Sequence, residues 1–296
     1  MAPSMENSSS TAPHLFSSRR RRALHGRRAK FVSATSTLLV VFVLIAIMWR
    51  APGGQAVREF FFSPHRAWEA FVGNPSEGIA AVGRGFFTNL WMCVVCEISV
   101  LIGGLLLATA RFSTSPWLTP FRLASIAYTD FFRGIPIILV LLAVGYGLPG
   151  MQIGVLSSQS PAVYACIALT LTYSAYVAEV YRAGINAVPT NQLVAARSLG
   201  LRPAAAMRFV VLPQAVRNVV PPLLNDFISL QKDTALVSVL GIVDASQAAH
   251  IYGSLTFNYA GYTVAALLFL AVTIPLTRWT DSLIAKDRTR RLAYTS

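Results

Sequence analysis

The sequence predicts an all-α polytopic membrane protein of about six transmembrane helices, and three observations predict it. Of 296 residues, 54% are hydrophobic and only 12% charged, where a soluble domain carries about 25% charge. The apolar residues gather into segments near the ~20 residues needed to cross a bilayer. Finally, 22 of the 25 basic residues are arginine, clustered at one set of segment flanks. The net charge of +13 is therefore positive-inside patterning, with no basic face interleaved with aromatics to receive nucleic acid.

In chain order, residues 1–30 are rich in Ser, Pro and Arg and lack apolar periodicity, which predicts a disordered, basic cytoplasmic tail. The run Arg19–Arg22 with Arg27, Arg28 and Lys30 precedes an apolar stretch, Phe31 to Trp49. That stretch exceeds the short core of a signal peptide and no A-x-A site follows, so residues 31–50 read as an uncleaved anchor. Residues 51–82 form an extracytoplasmic segment whose Phe60–Phe62 and Trp68 suit a membrane interface. The main domain, 83–285, holds spans at about 83–110, 121–145, 161–182, 213–232 and 261–282, followed by a tail at 286–296. The loops 146–160 and 245–258 contain no Lys or Arg, whereas 111–120, 183–212 and the tail carry Arg111, Arg197, Arg202, Arg208, Lys286 and Arg288. This asymmetry predicts that both termini are cytoplasmic.

Several chemistries are excluded. Cys93, Cys96 and Cys166 lie inside apolar segments and read as packing residues, and the four histidines show no ligand spacing, so no metal is expected. The chain has no G-x-x-x-x-G-K-[ST] to cradle a nucleotide, nor a G-x-S-x-G or H-E-x-x-H site, so it is not expected to be an enzyme.

Two features remain. The first is a polar, arginine-bearing stretch, Asn191 to Pro213. Pro189 suits the first turn of a short helix, Gly200 a left-handed cap, and Pro203 the start of a second helix. The small pair Ala195–Ala196 gives the first helix a face that another protein can approach, with Leu199 as an apolar anchor on the same side. Such an elbow cannot bury a core of its own, so it must dock onto something else. The second feature is a set of polar groups at membrane depth, where they are costly unless facing a cavity or partner. These are Arg133, Glu179, Asn225, Asp226, Lys232, Asp233 and Thr234, with Pro221 and Pro222 expected to break the helical ladder between them.

The elbow resembles the EAA loop of membrane subunits of ATP-binding-cassette importers: Glu-Ala-Ala, three residues, Gly, nine residues, then Ile-x-Leu-Pro. Ala195, Ala196, Gly200, Val210, Leu212 and Pro213 fit. FFRGIP (Phe131–Pro136), SAYVAE (Ser174–Glu179) and the stretch Leu212–Thr234 resemble the polar-amino-acid (histidine/glutamine permease) branch. The resemblance covers about residues 80–285. Two positions depart from it: Val194 stands where the family has Glu, and Asn191 where it has Gly.

The resemblance implies a five-helix permease core with an additional N-terminal anchor, in the bacterial plasma (inner) membrane. It implies uptake of a polar amino acid or close derivative, leaving the particular solute open. Implied partners are an ATP-binding subunit dimer carrying ATP and Mg, a second permease subunit, identical or homologous, an extracytoplasmic solute-binding protein and membrane lipid. Gln192, Val194, Ala195, Ala196, Leu199 and Gly200, in the loop 183–213, would meet the ATPase. A zwitterionic solute needs an anion, donors and a wall. Glu179 is the favoured ammonium partner, with Asp226 as alternative; Lys232 with Thr234 offers donors, and Tyr173 or Tyr176 a wall. Asn225 and Asp233 complete the pathway set, and Arg133 and Pro136 fit a gate or brace. The rival reading of Glu179 is an internal pair with Arg182. The rival function is an ion-coupled secondary transporter, which calls for an inverted repeat that the sequence does not display.

Overall fold

The computed structural model describes residues 35–293 apart from 44, 48 and 114. The expectation for residues 1–30, and part of that for the 31–50 anchor, lies outside the described residues. By its contacts the chain divides into two units, Met1–Glu59 and Phe60–Ser296. In the first, α1 (Thr35–Ile47) is an apolar helix. Further on, the Arg58 guanidinium lies 4.6 Å over the Trp49 ring and donates to the Trp49 carbonyl at 3.2 Å. The helix α2 (Gly54–Phe61) follows.

The second unit is built from helices: α3 (Pro64–Val72), α4 (Val82–Phe112), α5 (Thr119–Gly134), α6 (Ile137–Gly150), α7 (Pro161–Asn186), α8 (Thr190–Ser198), α9 (Pro203–Ala206), α10 (Leu212–Asp233), α11 (Ala245–Thr256) and α12 (Ala260–Ala293). Among the described residues, three helices are long and apolar enough to cross a membrane: Val82–Phe112, Pro161–Asn186 and Ala260–Lys286. Two bent helix pairs are apolar enough to cross only if each pair is taken as one span, Pro116–Gly134 with Ile137–Gly150 at 108° and Pro203–Leu240 with Ala245–Thr256 at 49°.

These bends correct the sequence reading. The expected span 121–145 is interrupted, because Pro136 lacks an N–H and forces Ile135 out of the helical region, to φ −97° and ψ 135°. By contrast, Pro221 and Pro222 do not break α10, which runs through both. The chain instead tightens into a 3₁₀ stretch, Thr234–Leu240, and turns at Gly241, whose φ of 76° suits glycine. Residues 245–258, expected as a short loop, are mostly α11.

α7 is the central helix, packing against α4, α5, α6 and α10. Its Ala165, Ala168, Leu169, Tyr173 and Val177 bury against Met92, Cys93, Cys96 and Val100 of α4 and Leu230 of α10. The two helices approach so closely that a Cβ on Gly104 would lie 2.5 Å from Val177 Cγ1. Small-residue contact of this kind replaces the hydrophobic driving force that lipid cannot supply.

A buried polar knot fixes the turn after α10. Asn89 Nδ2 donates to the Thr234 carbonyl at 2.9 Å and to Asp244 Oδ2 at 3.0 Å, and its Oδ1 accepts from the Ala245 N–H. Asp244 Oδ1 accepts from the Gln247 N–H at 2.8 Å, capping α11. The segment before α4 docks on the same region. Tyr252 OH donates to Glu69 Oε2 at 3.1 Å, Phe61 stacks on Tyr259 with centroids 5.3 Å apart, and Ala70, Ile79 and Val82 join the cluster of Ala245, Ala248 and Tyr252. Trp68 remains 68% exposed.

Candidate functional site: an ionisable cavity and a helical elbow

The kink at Pro136 opens space between α5, α6, α7 and α10. Two cavities of about 380 and 410 Å³ adjoin there, sharing Arg133, Tyr176 and Asp226. The first continues to Glu179, Asn218 and Pro222, and the second to Pro136, Tyr173, Ser229 and Asp233. The Arg133 guanidinium lies 5.7 Å from the Tyr176 ring centroid, a cation–π arrangement. Among the described residues it forms no ion pair.

The carboxylates differ in their partners. Glu179 accepts from Arg111 Nη1 at 3.0 Å and from Arg182 Nε and Nη2, so the internal pairing with Arg182 is present and is joined by an arginine from α4. Asp233 Oδ2 accepts from Tyr173 OH at 2.7 Å. Asp226 is the outlier: its Oδ2 is buried and has no hydrogen-bond partner. A buried oxygen left without a donor is expensive, and such exceptions point to a missing partner. Thr172 Oγ1, on the wall of the second cavity, is likewise without one.

Helix geometry sorts the remaining candidates. Asp226, Ser229 and Asp233 stand at i, i+3 and i+7 and share one face of α10. Asn225 and Lys232 are each one residue out of phase; both are exposed and line neither cavity. Thr234 also lines neither cavity. It is fully buried, with Oγ1 donating to the Gln231 carbonyl at 2.7 Å and its own carbonyl held by Asn89. Sequence reasoning passed over Thr172, Asn218 and Ser229; the i+3 spacing from Asp226 would have found Ser229.

The elbow forms as its punctuation dictates. α8 ends in a Schellman cap: Gly200 takes φ 83°, its N–H donates to the Arg197 carbonyl at 3.0 Å, and Leu201 N–H to the Ala196 carbonyl at 3.2 Å. Pro203 opens α9, which passes through a π turn at Met207–Val211 into α10. Leu193 packs against Val188, Val211 and Ala215, holding α8 to the base of α10. Leu199 is 84% and Val194 58% exposed, and Gln192, Ala195 and Gly200 are also exposed. Ala196 is not: only 5% exposed, it shares the inward face of Leu193. Ala195 and Ala196 therefore do not share one exposed face, because residues one apart on a helix point about 100° apart.

A helical bundle with broken spans, an ionisable cavity between them and a short elbow presenting apolar side chains defines a membrane transport subunit. The chain belongs to the family of binding-protein-dependent transport system inner membrane components, whose profile matches residues 101–288. It is a permease of the ATP-binding-cassette importer type, embedded in the membrane, and a secondary-transporter assignment is not favoured.

Its relatives include the arginine transport system permease protein ArtQ of Bacillus subtilis, 37% identical over 66% of this chain and 86% of that protein. The probable glutamine ABC transporter permease protein GlnM of the same organism is 34% identical over 65% of this chain and 86% of its own. Among solved structures, one described as an amino acid ABC transporter with histidines superposes with TM-score 0.64 at 32% identity, covering 69% of this chain and 93% of that one. The MetNI methionine ABC transporter in an inward-facing form shares the fold, with TM-score 0.58 at 21% identity over 72% of this chain and 98% of its own.

Proposed function

We propose that this subunit carries a polar amino acid or close derivative inward, driven by a pair of ATPase subunits that grip the elbow. The observation that carries the reading is the joined cavity with Arg133 on one side and the unpartnered Asp226 oxygen on the other. Arg133 binds the solute carboxylate, Asp226 its ammonium, and Tyr173 and Tyr176 wall its side chain. The sequence-based assignment of the ammonium to Glu179 moves to Asp226, because both Glu179 oxygens already accept from guanidinium groups. Glu179 then fastens the end of α4 to α7, while Pro136 sets the bend that aims Arg133.

The elbow and both termini lie on the ATP side, in keeping with the arginine distribution. A second permease subunit closes the pathway, an external binding protein delivers the solute, and ATP with Mg resides on the ATPase partner. ATP binding favours one of two arrangements of the spans, and that preference supplies the work. Names of relatives support an amino acid cargo: one is an arginine and another a glutamine permease.

The test is discrimination for a free α-carboxylate. The detergent-purified complex, without its binding protein, should bind the best amino acid of a labelled panel at least about a hundredfold more tightly than its methyl ester, since the ester leaves Arg133 unpaired. Arg133→Gln should erase that difference. Equal binding of acid and ester to the unaltered protein contradicts the reading.

A further inference from the structure

The elbow is joined to the membrane-spanning part of the chain by a side-chain bond that the docking role does not explain. Gln214 lies half-buried in the first turn of α10. Its Nε2 donates to Gln192 Oε1 on α8 and, at 2.9 Å, to the Val210 carbonyl in the π turn. Among the described residues this is the one side-chain hydrogen bond that leaves α8 for another element. α8 also contains no acidic residue with which to make an ion pair.

The rest of the attachment of α8 is packing, with Leu193 against Val188, Val211 and Ala215 and Ala196 buried on the same inward face. Apolar contact resists separation but has little direction, so it lets one helix roll over another. A hydrogen bond fixes distance and angle. Because Gln214 holds three elements at once, a push on α8 is passed to the base of α10. Asp226 stands about three turns farther along the same helix, so movement at the base reaches the cavity wall.

We infer that Gln214 is a positioning residue for coupling: paired with Gln192, it works as a strut that turns displacement of the elbow into movement of α10. The inference rests on the proposed coupling role of the elbow. It explains why a polar pair holds together a junction that is otherwise apolar.

The test reads solute taken up per ATP hydrolysed, in proteoliposomes containing the complete complex. Gln214→Leu keeps the side-chain volume and removes the donor. Its uptake per ATP should fall about fivefold, the effect of one lost hydrogen bond, while ATPase rate without solute stays as in the unaltered complex. The double variant Gln192→Leu, Gln214→Leu should fall no further than either single change. Gln214→Asn, too short to reach both partners, should move in the same direction and stands in if the leucine variant fails to assemble. Gln192→Glu combined with Gln214→Lys rebuilds the link and should restore the ratio. An unaltered ratio in Gln214→Leu or Gln214→Asn overturns the strut, as does a double variant whose loss is the product of the singles. Leu199→Asp separates the two levels: if it uncouples while the Gln214 variants do not, the strut alone is wrong. If it too couples normally, the docking role itself has failed.

Discussion

Asp226→Asn is expected to abolish uptake, by at least about a hundredfold, while the complex assembles normally. The substitution keeps the shape of the side chain and removes the charge that would hold an ammonium. Losing one partner of a buried, hydrogen-bonded charge pair costs roughly 2–5 kcal/mol. Folding should be spared because Asp226 Oδ2 has no hydrogen-bond partner within the protein, so the change orphans no group. Glu179→Gln differs here, since it withdraws a carboxylate from both Arg111 and Arg182. The check is labelled amino acid uptake alongside size-exclusion chromatography of the purified complex. Uptake within a few-fold of the unaltered protein would remove Asp226 from the binding site.

Leu199→Asp should separate ATP hydrolysis from transport. Leu199 is 84% exposed at the tip of the elbow, directly before the left-handed Gly200, and touches little of its own chain. Its folding cost is therefore small. On the proposed docking face it would bury a carboxylate in an apolar contact, which is costly without a partner. Solute-stimulated hydrolysis should drop at least about tenfold, with the subunit still inserted in the membrane. Ala196→Arg is the poorer probe of docking, because Ala196 is 95% buried within the subunit and the change would disturb packing first. Normal stimulation in Leu199→Asp would mean that the ATPase grips elsewhere.

The parts legible in the sequence are those set by local chemistry. The elbow was readable because a left-handed helix cap favours glycine and a first helical turn accepts proline, and Gly200 and Pro203 each took the place expected. The three uninterrupted spans were readable from apolar length. The Pro136 bend was less so: a proline disfavours helix at the preceding residue, but nothing local sets the angle between the pieces. Pro221 and Pro222 show the reverse, because packing of α10 against α7 and α12 carries the helix past both. The site was half legible. Polar residues within apolar stretches announce themselves, yet which of them face the cavity depends on helix phase. Asp226 and Asp233 line it, and Asn225 and Lys232, their chain neighbours, do not. The partners of Glu179 were only partly visible, since Arg182 is one turn away but Arg111 is 68 residues distant. The same holds for Asn89 and Asp244, separated by 155 residues.

The most direct measurement is uptake of a labelled amino acid into proteoliposomes containing this subunit, with and without the ATPase subunits, the remaining components being held constant. Accumulation that requires both the ATPase and hydrolysable ATP, and that ignores imposed sodium or proton gradients, is the predicted result. Accumulation driven by an ion gradient in the absence of the ATPase would contradict a mechanism in which the elbow receives the driving force.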